Sequence, residues 1–370
     1  MTNLKTFLRK KDIVFSGKRY GLEALGAMAH GLFCTLLVGT ILNTVGQQFN
    51  IGFLTQIIMT IGTGEGAVHY TIGDLVSTMV GPGIAVAIGS ALHAPALVMY
   101  ALIPVGFAAN AMGGAGGPLS VYFVAIAACE FGKLVSKETR MDILVTPIVT
   151  ILSGIGFAAL VAAPIGNAAK AVGQTIMWAT ELQPFFMGIL VSALVGITLT
   201  LPISSAAICA SFGLVGLAGG AAVAGCCAQM VGFAVMSFRE NRWGGLVAQG
   251  IGTSMLQMPN IMHNPRIWIP PILASMITGP MATCLFRLEM NAPSGGLSSG
   301  MGTCGFVGQI GVYTGWVNDV ATGSKASITA MDWIGMILIC FVLPAVFSWL
   351  FCLCLRRIGW IKENDLKLDL

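Results

Sequence analysis

Charge is scarce in this chain: Asp, Glu, Lys and Arg together make up 9% of its residues, while 56% are hydrophobic. A soluble domain of this length carries about a quarter of its residues as charges, so a soluble enzyme or a nucleic-acid-binding domain is excluded. Phosphate-loop chemistry is missing as well. No G-x-x-x-x-G-K-[ST] occurs, and the Gly-x-Gly at Gly62 and Gly64 is too short to cradle a nucleotide, which argues against ATP hydrolysis. The ten cysteines lie mostly in apolar surroundings without paired metal-ligand spacing, and the adjacent Cys226 and Cys227 read as packing residues. No metal and no cofactor is expected.

What the chain has instead is uncharged length. Leu75 to Cys129 and Leu182 to Phe238 contain no Asp, Glu, Lys or Arg, and each run is too long for one helix through a hydrocarbon core of roughly 30 Å. Each must fold back. Apolar segments fall near 22–46, 51–64, 75–92, 94–112, 118–135, 143–163, 184–202, 205–236, 267–286 and 332–355. The expectation is an all-α polytopic membrane protein of about ten transmembrane helices. The 48 glycines favour dense small-residue packing between helices.

Positive charge sits at the ends. Lys5, Arg9, Lys10, Lys11, Lys18 and Arg19, interleaved with Leu4, Phe7, Leu8, Ile13 and Phe15, form a basic interfacial segment over 1–20, with no cleavable signal before Tyr20. Arg356, Arg357, Lys362 and Lys367 close the chain. Both termini are therefore expected in the cytoplasm and the number of crossings even. Lys133, Lys137 and Arg140 mark an internal cytoplasmic loop, Arg239 and Arg242 a second candidate; Arg140 and Asp142 read as loop anchors. The net charge of +4 reflects these anchors, not affinity for nucleic acid. The division expected is a scaffold bundle over 21–166, an amphipathic surface connector over 167–183 bearing Lys170, a substrate-binding portion over 184–356, and a tail over 357–370.

Two stretches, 244–264 and 291–316, are rich in Gly, Ser, Thr, Asn and Gln yet mostly uncharged, which suits re-entrant hairpins bordering a polar cavity. The most informative is Q-M-P-N-I-M-H-N-P-R-I-W-I-P-P-I-L-A, from Gln257 to Ala274. Proline opens the helix, and hydrocarbon cannot satisfy the freed backbone groups, so the segment must face protein or water. Gln257, Asn260 and Asn264 can exchange hydrogen bonds with hydroxyls, Arg266 can neutralise a phosphate, and His263 is the nearest general base. The bland alternative is that these residues cap the broken hairpin. Glu289 with Asn291 opens the second hairpin and is a further carboxylate candidate. Glu65 and His69, at i,i+4, could share a helix face and couple an ion, or lie in an exposed turn with Asp74. His30 and His93 read as packing residues.

The run K-E-T-R-M-D-I-L-V-T-P-I-V-T-I-L from Lys137 to Leu152, with A-P-I-G-N from Ala163 to Asn167 and the N-P and P-P-I-L-A pattern between Asn264 and Ala274, resembles the membrane (IIC) subunits of the bacterial phosphotransferase system, glucose superfamily. The likeness extends from about Tyr20 over nearly the whole chain, and is closest to the IIC-like family that includes the perfringolysin regulator-type membrane proteins. It implies the IIC fold with two re-entrant hairpins, a homodimer formed through the N-terminal spans, residence in the bacterial cytoplasmic membrane, and a small sugar-like solute carried by alternating access. It implies enzymatic activity only with separate IIA and IIB proteins. The departures matter too: in the sugar-transporting relatives a Glu-Pro near the first hairpin gives a carboxylate to the sugar, whereas here Met258 precedes Pro259. A IIB domain finds no room after Arg357, so its phosphoryl donor is expected as a separate protein, or absent. Two other roles stay open, a solute sensor without transport and an ion-coupled transporter using Glu65, His69 or Glu289.

Overall fold

A computed structural model describes residues 7–62, 67–291 and 295–368. The chain forms two compact units, Met1–Ala168 and Ala169–Leu370. Regular structure is almost wholly helical, as the apolar runs predict. Among the described residues six helices are long and apolar enough to cross a membrane, or seven if one bent pair counts as a span.

In the first unit, α1 (Ala24–Leu32) and α2 (Val38–Gln48) continue one apolar run beginning at Arg19. After them the expected segment near 51–64 is not a crossing. It forms one turn, α3 (Gly52–Thr55), and a two-stranded antiparallel ribbon, β1 (Met59–Ile61) with β2 (Val68–Tyr70). The run is too short to span hydrocarbon, and Gln56 and Thr60 interrupt it. His69 lies on β2 opposite Thr60, so it sits on no helix face with Glu65, which lies outside the described residues. Next, Thr71 and Asp74 form a reciprocal capping box that starts α4 (Ile72–Thr78), and α4 meets α5 (Val80–Ala91) at a bend of 50°.

The apolar stretch Ala96–Val135 folds back on itself as α6 (Ala96–Gly113) and α7 (Gly117–Val135). Gly114, at φ +52, makes the reversal that a side chain would resist. Gly132 consequently lies against Val98, and Gly117 against Asn110, at opposite ends of the pair. Each helix rises about 27–29 Å, close to the hydrocarbon thickness. α8 (Asp142–Thr180) then runs unbroken for 39 residues. Residues 167–180, most of the stretch expected as an amphipathic connector, form the last part of this helix, because nothing between Asn167 and Thr180 breaks the helical pattern.

The second unit is built around α11 (Gly216–Met236), packed on α9 (Pro184–Thr200), α14 (Ile269–Pro280) and α17 (Leu343–Arg357). Small residues make this possible. A Cβ on Gly220 would strike the Leu288 carbonyl and one on Gly225 that of Ser192, so backbones touch where side chains would hold them apart. α10 (Ser205–Ser211) precedes α11, the expected segment 205–236 being broken at Gly213, φ +60. Then follow α12 (Phe238–Val247), α13 (Met258–His263), α15 (Val307–Ala321) and α16 (Ala330–Ile337). The core beside α11 gathers Val223, Ala224, Leu288, Val312, Trp316 and Ile339.

Candidate functional site

Helix α11 is buried along most of its length, and one amide side chain interrupts its apolar surface. Gln229 is fully buried. Its Oε1 accepts from Trp268 Nε1 at 2.9 Å and from Thr200 Oγ1 at 3.3 Å. Because an indole N–H can only donate, the atom facing Trp268 must be the oxygen. The other end of the amide, Nε2, is buried with no hydrogen-bond partner. A buried donor left unmade costs about 1–3 kcal/mol, so its retention calls for an explanation.

Two interrupted segments converge on that part of α11. The first runs from Ala248 to Gln257, between α12 and α13, as wide and tight turns. Thr253 caps its second turn by accepting from Met255 N at 3.1 Å, and Ser254 shares a 2.9 Å hydrogen bond with Thr200, which reaches Gln229. The second lies between Gly295 and Phe306. Gly302, at φ +54, sits so close to Cys226 that an added Cβ would stand 2.6 Å from the cysteine's own. Thr303 donates to Met230 Sδ at 3.5 Å, and Gln309 Nε2 to Cys227 Sγ at 3.2 Å. Gln309 Oε1, like Gln229 Nε2, is buried and unpartnered. Broken backbone from two places thus meets one helix at Cys226 to Met230, with one unmade donor at Gln229 and one unmade acceptor at Gln309, which reaches α11 at Cys227, about 200° around the helix from Gln229.

The residues of the second unit singled out from sequence fall elsewhere, in two groups. Gln257, Asn260 and Asn264 are brought together, and their amides hold the C-terminal segment. Gln257 Nε2 donates to Gln249 Oε1 at 2.8 Å and to the Leu366 carbonyl at 3.0 Å. Asn260 Nδ2 donates to Gln257 Oε1 and to the Lys367 carbonyl, both at 2.8 Å. Asn264 Nδ2 donates to the Trp360 carbonyl at 3.0 Å and to Asp365 Oδ2 at 2.8 Å. The Arg266 guanidinium lies 5.1 Å from the centre of the Trp360 ring. Asn241 completes the clasp by donating to the Leu366 carbonyl at 2.7 Å and accepting from Leu368 N at 2.8 Å. His263 is exposed beside this lattice.

Glu289 and Asn291 form the second group. They line a cavity of about 310 Å³ with Arg287, Asp319, Lys325 and Asp332. Asn291 Nδ2 donates to both Asp319 carboxylate oxygens, at 3.2 and 3.0 Å, and Lys325 pairs with Asp332 at 2.6 Å. The run Ala330–Arg357, 28 residues, carries Asp332 at one end and leads to the Trp360 clasp at the other. At 1.5 Å per residue that is about 40 Å, so no single small solute touches both groups. Gln229 lies between them, about 20 Å along α11 from Gly216, which is itself paired with Met290.

In the first unit His69 is exposed, its Nδ1 2.9 Å from Thr60 Oγ1, and Asp74 caps α4 while accepting from Asn43 Nδ2 at 2.6 Å. Gln229, Gln309, Thr200 and Ser254 were not singled out from the sequence. The one available signal was an amide at Gln229 in a run of small and apolar residues.

A protein-family model described as "Phosphotransferase system, EIIC" matches residues 22–368. No curated protein and no solved structure matches the chain.

Proposed function

The chain belongs to the phosphotransferase system EIIC family, a family of multi-pass membrane transport components that work with a IIB partner, and on that premise we propose that it carries a hydroxylated, sugar-like solute by alternating access. The solute would bind where the two interrupted segments meet α11. The observation that carries this is Gln229: a buried amide with its oxygen fixed by Trp268 and its nitrogen unpartnered is a donor kept for a guest.

The cavity holding Glu289 and Asn291 would then be one mouth of the path, and the amide lattice at Gln257 to Asn264 the other. By the distribution of Lys and Arg, the lattice end faces the cytoplasm of a bacterium, with both termini on that side. If a IIB protein delivers a phosphoryl group there, exposed His263 is the nearest group able to accept the hydroxyl proton, and Arg266 to neutralise the phosphate. A homodimer through the first unit is the expected assembly. Sensing without transport is a second role, favoured by Met258, 7% exposed, standing where the sugar-transporting relatives present a carboxylate.

The test is binding. A panel of hexoses, pentitols and disaccharides is screened by thermal stabilisation of the purified protein, and the strongest binder is titrated against Gln229→Ala. Loss of one buried hydrogen bond weakens affinity by roughly tenfold to a hundredfold. Unchanged affinity removes Gln229 from the solute site.

A further inference from the structure

In the first unit, three segments distant in sequence enclose a cavity of about 470 Å³: the N-terminal basic segment, the turn before α6 and the end of α7. Its walls are held by ion pairs. Lys133, 2% exposed, donates to the main-chain oxygens of Asp12 at 2.8 Å and Leu92 at 3.0 Å, and pairs with Glu130 at 3.1 Å. Lys11 binds the Ser136 carbonyl and the Glu138 carboxylate. Asp12 accepts two hydrogen bonds from Arg19, at 3.1 and 2.5 Å.

Two lining cations remain outside these pairs. Lys10 and Lys137 are exposed, and among the described residues neither ammonium group is in a close ion pair; Glu138 near Lys10 and Asp142 near Lys137 act on them at longer range. Over the lining itself, Lys10, Lys11, Lys133 and Lys137 outnumber Asp12 and Glu138, and exposed His93, whose Nδ1 lies 3.4 Å from Asp12 Oδ2, adds a second ring nitrogen. Three lining residues other than glycine are left-handed, Asp12 at φ 53, His93 at φ 54 and Lys137 at φ 61. Such backbone persists only where surrounding structure imposes it, and here it is imposed around one cavity. The cavity adjoins the start of the first apolar run at Arg19, and Phe15 on the same segment is 76% exposed, as an aromatic anchor at a membrane interface is.

We propose that this cavity binds a phosphate-bearing anion, either the headgroup of an anionic phospholipid or a soluble phosphate ester. Ammonium groups in no close ion pair, in a recess whose lining carries more lysines than carboxylates, are matched by phosphate oxygens. The volume is enough for a glycerophosphate group. This site lies wholly in the first unit and is independent of the solute path.

The test uses the full-length protein, delipidated in a neutral detergent and followed by native mass spectrometry. Phosphatidylglycerol, phosphatidylcholine and glycerol 3-phosphate are titrated separately. The expected result is saturable binding of phosphatidylglycerol over phosphatidylcholine, weakened roughly 30-fold by the double change Lys10→Gln with Lys137→Gln. Lys10→Arg with Lys137→Arg should retain it, and Lys170→Gln with Lys362→Gln, equal in charge but remote from the cavity in sequence, should leave it unchanged. Binding of glycerol 3-phosphate with the same sensitivity assigns a soluble ligand; binding of phosphatidylglycerol alone assigns the lipid. Equal weakening by the control pair, or no preference for either phosphate-bearing anion, overturns the proposal.

Discussion

Individual side chains in this protein are set by what their neighbours can donate. The guanidinium of Arg19 hydrogen-bonds Asp12 and holds its carboxyl below the ordinary value of 3.8. A depressed carboxyl stabilises the fold above its unfolded value and ceases to do so as pH falls through the folded one. Asp12→Asn should therefore lower Tm at neutral pH and flatten its decline between about pH 5 and pH 3. A parallel decline in both proteins would show that Asp12 carries no acid sensitivity. Asp12 is half-exposed, so the effect is modest. Little of this was legible in the sequence. The basic residues of the N-terminal segment read as anchors, but their individual partners depend on chain segments 125 positions away, as Lys11 and Ser136 show. Gln229 was hidden for a related reason, since only the arrival of Trp268, Thr200 and Ser254 separates a guest-binding amide from a packed one.

Among the elements, uncharged length predicted helices well wherever a run was long enough to cross a bilayer. α6, α7 and α11 lie where apolar segments were read, because hydrocarbon leaves the backbone few alternatives to a helix. Shorter runs were ambiguous: 51–64 became a ribbon, and 205–236 broke at a glycine. Within the polar stretches expected as hairpins at 244–264 and 291–316, only 248–257 and 295–306 are broken into short turns, while 307–316 belongs to α15. Which residues they present to α11 followed from turns that sequence does not encode locally. Two glycines separate turn-making from close approach. Gly114, at φ +52 and ψ −123 with nothing near its missing Cβ, should lose about 1–3 kcal/mol on change to Ala from backbone strain alone. Gly302, also at positive φ but pressed against Cys226, adds the cost of overpacking to that of strain and should lose more, about 2–5 kcal/mol. Thermal unfolding in detergent compares the two; equal losses would mean that the second interrupted segment is not tightly seated on α11.

At the level of the whole molecule, the second unit presents three polar stations along one direction: the acidic cavity at Glu289, the buried amide at Gln229 and the amide lattice at Gln257 to Asn264. The sequence singled out the outer two, because polar residues near proline and glycine stand out while a lone buried glutamine does not. On the path proposed above, a transported solute would pass all three in series, whereas a sensed one would need only the middle one. Proteoliposome counterflow with the strongest binder from the sugar panel distinguishes them, reading exchange of labelled for unlabelled solute across the membrane. Exchange by the wild-type protein, lost in Gln229→Ala, is expected; saturable binding with no exchange would contradict transport and leave a protein that senses its solute without moving it.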